Sequence, residues 1–258
     1  MQKFVLATIA AVTVAVAPAL AADMAVKAAR PMPAPIYNWT GCYLDGGGGY
    51  GLWTQDHFSE TDPGHVALSA TTTSGGRGWY GQVGGGCDYQ FTLGTLGNFI
   101  IGALGDYSFM NLHGTFADPA APAQGNEKER SSWAAGARFG YLVTPDILVY
   151  WSGGYTQARF NRVDGLTVFL PVVPTGNSMS AHTYNGWFLG GGTEMSLSRW
   201  LPVGWFLRSD YRYSTFRAAD VPVVFTATGL PTGIAENNKK YVQMLGTELV
   251  YRFNFTGR

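Results

Sequence analysis

Residues 239–255 limit the fold more than any other stretch. From Leu245 the odd positions read Leu245, Thr247, Leu249, Tyr251, Phe253 and Phe255, while the even positions include Glu248, Arg252 and Asn254. A period of two, with charge on one face only, specifies a β-strand. The run is longer than an ordinary globular strand, and its apolar face ends in three aromatics, which suits a strand crossing a membrane in a closed barrel. Its charges then face a lumen. An open edge in lipid would leave backbone groups unpaired, so the rest of the chain must supply strands until the sheet closes.

The remaining blocks predict those partners. Strand patterning places them at 41–53, 77–91, 98–110, 131–143, 147–160, 183–197, 205–217 and 239–255, eight in all. The connections 54–76, 111–130, 161–182 and 218–238 are long and rich in Gly, Pro, Ser, Thr and Asp, whereas 92–97, 144–146 and 198–204 are short. Long connections on one side and tight turns on the other are the topology of an outer-membrane barrel, with long loops outside and short turns in the periplasm. The expected fold is therefore all-β, an eight-stranded antiparallel transmembrane barrel over residues 39–258.

The first residues agree with export. Met-Gln-Lys precedes an apolar run from Phe4 to Ala17, and Ala19-Leu20-Ala21 forms an A-x-A site, so residues 1–21 read as a secretory signal peptide. Residues 22–38 are small and proline-rich, an extended periplasmic lead-in. With 35 Gly, 14% aromatic and 13% charged residues and formal net charge zero, the composition suits lipid contact better than a soluble surface, and it argues against a nucleic-acid partner.

Parity assigns the faces. In 205–213, Trp205, Leu207, Tyr211 and Tyr213 alternate with Arg208, Asp210 and Arg212; in 77–91, Trp79, Val83, Cys87 and Tyr89 alternate with Gln82, Asp88 and Gln90. Charge on the lipid face costs ~2–4 kcal/mol at the midplane, so the charged set points inward. The predicted lumen network is Asp45, Asp88, Asp106, Arg138, Glu194, Arg208, Asp210, Arg212, Glu248 and Arg252. Strand 147–160 has no clear face. Cys42 and Cys87 point outward and fall opposite one another, or one residue apart, if Trp53 meets Arg77 across the first loop. A disulfide and two lipid-facing thiols are both open readings. Mid-strand glycines at 46–49, 84–86, 153–154 and 190–192 read as curvature devices in a small barrel.

Six blocks in order then resemble a known family: Asn38-Trp39-Thr40-Gly41-Cys42-Tyr43, Gly102-Ala103-Leu104-Gly105-Asp106-Tyr107, Ala137-Arg138-Phe139-Gly140-Tyr141, Gly186 through Glu194, Leu207 through Tyr213, and Tyr251-Arg252-Phe253. They are similar to the alphaproteobacterial outer-membrane immunogenic proteins. The resemblance, from Trp39 to Phe255, implies a single surface-abundant barrel, often called porin-like, with no catalytic residues to carry over. This chain departs from the family in its Thr256-Gly257-Arg258 extension past the last aromatic, its two cysteines and Asp45.

Other motifs carry less. Gly46–Gly51 formally fits G-x-G-x-x-G but lacks the strand and helix that give the motif meaning. All four histidines (His57, His65, His113, His182) fall in expected external loops. Asp56, Glu60 and Asp62 lie beside the first two, yet the spacing matches no metal motif. No catalytic, cofactor or metal residue is assigned. Arg77, Lys128, Arg130, Arg162, Lys239 and Lys240 sit at outer strand ends or in loops, at the level of glycolipid phosphates. The expected partners are outer-membrane lipid and lipopolysaccharide, with the barrel-assembly machinery engaging the C-terminal strand of a monomer. The expected role is structural and interfacial, a plugged barrel displaying four long loops. The alternatives are a narrow pore for small solutes and, from a third class, an envelope enzyme.

Overall fold

A computed structural model describes residues 37–117, 120 and 123–253. The expected signal peptide, nearly all of the lead-in and the Thr256-Gly257-Arg258 extension lie outside the described residues. The strands are β1 (Gly41–Thr61), β2 (Thr72–Thr92), β3 (Asn98–Ala117), β4 (Ala123–Thr144), β5 (Ile147–Phe160), β6 (Val163–Thr167), β7 (Pro174–Met179), β8 (His182–Ser196), β9 (Trp205–Phe216), β10 (Ala219–Phe225) and β11 (Pro231–Phe253).

Eight of them, β1, β2, β3, β4, β5, β8, β9 and β11, form an antiparallel ring closed by β1 against β11. Following hydrogen-bonded partners from Gly41 through Asp88, Gly102, Arg138, Ser152, Gly190, Arg212 and Met244 returns to β1 at Gly51, ten residues further along. That stagger tilts the strands by ~40° and leaves an interior that side chains can fill.

The structure corrects the expected boundaries on one side only. The periplasmic turns stand as expected, but β1, β2, β3, β4 and β11 run well beyond the wall into the regions read as loops. Two of those connections also contain strands, β6 and β7 between β5 and β8, and β10 between β9 and β11. Together they make a collar, on the side expected to be extracellular, in which β10 pairs with β11 and β7, β7 with β6, and β6 with β4. The first hairpin register is also one residue from the expected one, with Trp53 opposite Gly76 and Leu52 opposite Arg77.

Outward side chains form two aromatic girdles. Tyr89, Phe99, Tyr141, Trp205, Tyr251 and Phe253 lie at the turn side, and Tyr50, Trp79, Trp133, Tyr155, Trp187 and Tyr213 at the collar side. With the stagger above they are separated by roughly 20 Å, close to the apolar band of an outer-membrane barrel. Within the wall, a Cβ at Gly49 would land on the Leu245 carbonyl and one at Gly47 on the Thr247 carbonyl. These glycines let β1 and β11 approach where any larger residue would push them apart.

Candidate functional site

The lumen between the girdles holds all ten residues of the predicted charge set. Glu194, fully buried on β8, is their centre. Its Oε1 accepts from Arg252 Nε at 2.7 Å; its Oε2 accepts from Arg208 Nη2 at 3.1 Å and Arg138 Nη1 at 3.2 Å. Arg138 also donates through Nε to Asp88 Oδ1 at 2.8 Å and closes a second, shorter contact to Asp88 Oδ2, which takes Arg252 Nη1 at 2.8 Å. Arg208 Nη1 reaches Asp45 Oδ2 at 2.9 Å. One level higher, Arg212 donates twice to Asp106, at 2.8 and 2.6 Å.

Two acids stand outside this pairing. Asp210 accepts the Tyr150 hydroxyl at 3.4 Å, and both oxygens of buried Glu248 have no partner among the described residues.

The arginines are also stacked. Tyr43 lies beneath the guanidinium groups of Arg138, Arg208 and Arg252 at 4.4, 4.7 and 5.0 Å from its ring centre, and Trp39 carries Arg252 at 4.5 Å. Burying a guanidinium between a carboxylate and an aromatic face offsets part of its desolvation. Parity could have found Tyr43, which shares the inward face with Asp45. No periodic signal pointed to Trp39, which precedes β1 and donates from Nε1 to the Pro145 carbonyl at 3.0 Å.

A second polar group fills the collar above the upper girdle, and the sequence reading missed it. Lys240 is completely buried, which corrects its assignment to the lipid-facing cations: alternation allows only one of Lys239 and Lys240 to face out. Its ammonium donates to Glu127 at 2.6 Å and to Gln55, and lies 4.1 Å from the Phe160 ring centre and 5.1 Å from those of Trp53 and Tyr184. Glu129, on the same strand face as Glu127, is buried with both oxygens unpartnered among the described residues. Around this group packs an apolar cluster that includes Met110, Leu112, Phe116, Phe216, Val242 and Met244.

The histidines need correction as well. His57 lies in β1, His113 in β3 and His182 at the start of β8; only His65 is in a connection. His57 Nε2 is 2.9 Å from Ser74 Oγ and its Nδ1 3.6 Å from Glu236 Oε2, the order of a nucleophile, base and acid. The imidazole is nevertheless fully buried, with the Phe116 ring 4.4 Å away. On the outside of the collar His65 Nδ1 lies 2.7 Å from Glu60 and 3.7 Å from Asp220, and these three could bind a cation as readily as one another. Glu60 raises the His65 pKa above the ordinary imidazole value, first through the hydrogen bond and then through its charge. Of the cations read as facing lipid phosphates, Arg162 instead pairs with Asp164 at 2.8 Å.

Cys42 and Cys87 are directly opposed on the outer face of β1 and β2 and joined by a disulfide.

Residues 7–253 match the family described as the outer membrane protein beta-barrel domain. The chain belongs to that family. Membership makes this an outer-membrane β-barrel whose wall strands are transmembrane. Solved structures of similar shape include the outer membrane protein OprG from Pseudomonas aeruginosa, at 10% identity and a TM-score of 0.48 over 84% of this chain and 99% of that one. Neisserial surface protein A is similar at 12% identity and a TM-score of 0.38, covering 83% and 98%. AlkL, determined in lipid bilayers, is similar at 11% identity and a TM-score of 0.42, covering 89% and 98%. No curated protein matches the chain.

Proposed function

We propose that this barrel is a closed structural and surface protein of the outer membrane: it spans the envelope, carries a rigid extracellular collar and conducts no solute. The observation behind this reading is a lumen filled at two levels. The arginine and carboxylate network occupies the membrane level, where a cavity of ≈ 20 Å³ remains beside Tyr43, Asp106 and Arg212. The Lys240 group occupies the collar level, where ≈ 10 Å³ remains beside Glu127, Phe160 and Tyr184, while a larger space of ≈ 120 Å³ lies in the collar between Phe116, Val163, Met179 and Glu236. The spaces beside the two charged groups each admit about one water, not a hydrated ion. We further infer that the chain falls within the alphaproteobacterial immunogenic group, on the six sequence blocks; that it carries no catalytic activity; and that it is inserted as a monomer by the barrel-assembly machinery through β11.

Single-channel recording in a planar bilayer tests the closed lumen. The refolded protein should be silent. Arg208→Ala with Arg212→Ala empties only the lower level and should stay silent too; conductance should arise once Trp53→Ala and Phe160→Ala are added. Stable, salt-proportional conductance in the unaltered protein would favour the narrow pore instead.

A further inference from the structure

The outer face carries a belt of cations immediately above the collar-side girdle. Arg77, Lys128, Arg130 and Arg159 lie two to five residues beyond a girdle aromatic on the same strand (Trp79, Trp133 or Tyr155), Arg217 lies four beyond Tyr213 and just past the end of β9, and Lys239 lies two beyond Tyr241, which stacks on Tyr213, all on the collar side. None of the six makes an ion pair among the described residues. Aromatic side chains mark the interface between hydrocarbon and headgroups, so this belt lies at the height of outer-leaflet phosphates.

At one place the belt becomes a site. β9 stops at Phe216 and β10 begins at Ala219, and the wall is notched between them. The notch opens an exterior groove of ≈ 1050 Å³ lined by Tyr155, Asn185, Trp187, Thr215, Arg217 and Lys239. The β9–β11 ladder ends at Thr215 against Tyr241, two residues short of Arg217 and Lys239, and both cations line the groove just past that end. Two like charges brought to one groove on a sheet repel. Two acids lie on that face: Asp56, opposite Lys239 on β1, accepts the Thr73 hydroxyl at 2.7 Å, and Asp220, opposite Asn237, accepts from the Asn237 amide; among the described residues neither forms an ion pair with Arg217 or Lys239. Asn185 commits its Oδ1 to Tyr155 and Gln157, both at 2.7 Å, which leaves its Nδ2 hydrogens available. The backbone is fixed here as well: Arg217 N donates to the Asn185 carbonyl at 2.9 Å.

We propose that this groove binds a phosphorylated glycolipid of the outer leaflet, with the phosphate between Arg217 and Lys239, a sugar hydroxyl or phosphate oxygen on Asn185, and acyl chain against Tyr155 and Trp187. An anion between the two cations removes their repulsion and gains charge-assisted hydrogen bonds. The aromatic floor supplies the apolar half that a free phosphate would not use. The inference needs the barrel's place in the outer membrane but not its closed lumen, so it survives if the conductance test fails.

Native mass spectrometry of the refolded protein in detergent tests it, with three probes: bisphosphorylated lipid A, the same lipid with its phosphates removed, and inorganic phosphate as competitor. The intact protein should retain the phosphorylated lipid. Arg217→Ala with Lys239→Ala should weaken retention about tenfold, the scale of one hydrogen bond to a charged group. Trp187→Ala, which keeps both cations, should also weaken it. Arg77→Ala with Arg130→Ala removes equal charge outside the groove and should have little effect. Equal retention of the dephosphorylated lipid would overturn phosphate recognition. Competition by inorganic phosphate would show an anion site without lipid selectivity and overturn the glycolipid assignment. Equal losses from the two double variants would overturn the groove in favour of diffuse charge. Heat-dependent gel mobility establishes that each variant is folded before its retention is compared.

Discussion

Arg212 and Asp106 join β9 to β3 through two hydrogen bonds across the lumen, although the two strands share no ladder. The contact is a strut between opposite walls, and Arg138, Arg208 and Arg252 with Asp88, Glu194 and Asp45 make five shorter ones between strands that also share no ladder.

Glu194 therefore holds three arginines, whereas Glu248 holds none. Glu194→Gln should destabilise the barrel by ~3–5 kcal/mol, since it strands buried guanidinium groups. Glu248→Gln removes a buried carboxylate with no partner among the described residues and should leave stability equal or higher. Urea unfolding of the two refolded variants, followed by heat-dependent gel mobility, checks both; the opposite order would show that the pairing drawn for Glu194 is wrong.

Leu249 faces lipid inside the apolar band, two residues from Tyr251 of the turn-side girdle. Leu249→Arg should block assembly, since a lipid-facing cation costs up to ~2–4 kcal/mol at the midplane, while Gln82→Arg on the inner face should still yield folded protein. Comparable yields in the boiled and unboiled gel assay would contradict the assigned faces.

Cys42 and Cys87 should be oxidised in native protein. Intact mass without reductant should be lower by two hydrogens than with it, and alkylation before reduction should label neither sulfur. Free thiols in unreduced, air-exposed material would contradict the bridge.

The His65 imidazole should titrate above its ordinary value of ~6.5, because the Glu60 carboxylate favours the charged ring. The sign follows: the clasp is fully present below the unfolded-state pKa and is lost as pH rises through the higher folded-state one. Proteolysis of the 62–71 turn should accelerate over that window, and Glu60→Gln should move the window down. An NMR titration of His65 with no difference between the two proteins would refute the linkage.

Ser74 should not react with a fluorophosphonate, since His57 beside it is fully buried beneath Phe116. Labelling of Ser74 that disappears in His57→Ala would establish an acyl-transfer site in the collar and reopen the enzymatic reading.

Alternation carried most of the wall because one face meets lipid and the other a polar lumen, as at Glu248 against Leu249. It failed on β5, where Leu148 and Tyr150 point inward to an apolar floor with Trp39, Tyr43 and Phe206, so both faces are apolar. It also failed above the upper girdle, where the inner face mixes the Lys240 group with apolar side chains and the outer face leaves the lipid, and where Gly, Pro and Thr in 161–182 and 218–238 read as loop although β6, β7 and β10 form there. The partners of Lys240 and of Arg217 come from distant strands and left no local mark.

The seam of the ring, Cys42 against Phe253 through Thr61 against Ile234, joins the two strands most distant in the chain. Until β11 is in place, β1 presents an unbonded edge along its whole length, an arrangement hydrocarbon does not tolerate. Closure across so large a sequence separation is slow. Insertion and sealing must therefore be one event: a half-built cylinder has no stable address in the bilayer, and a truncation that removes the last strand removes the protein.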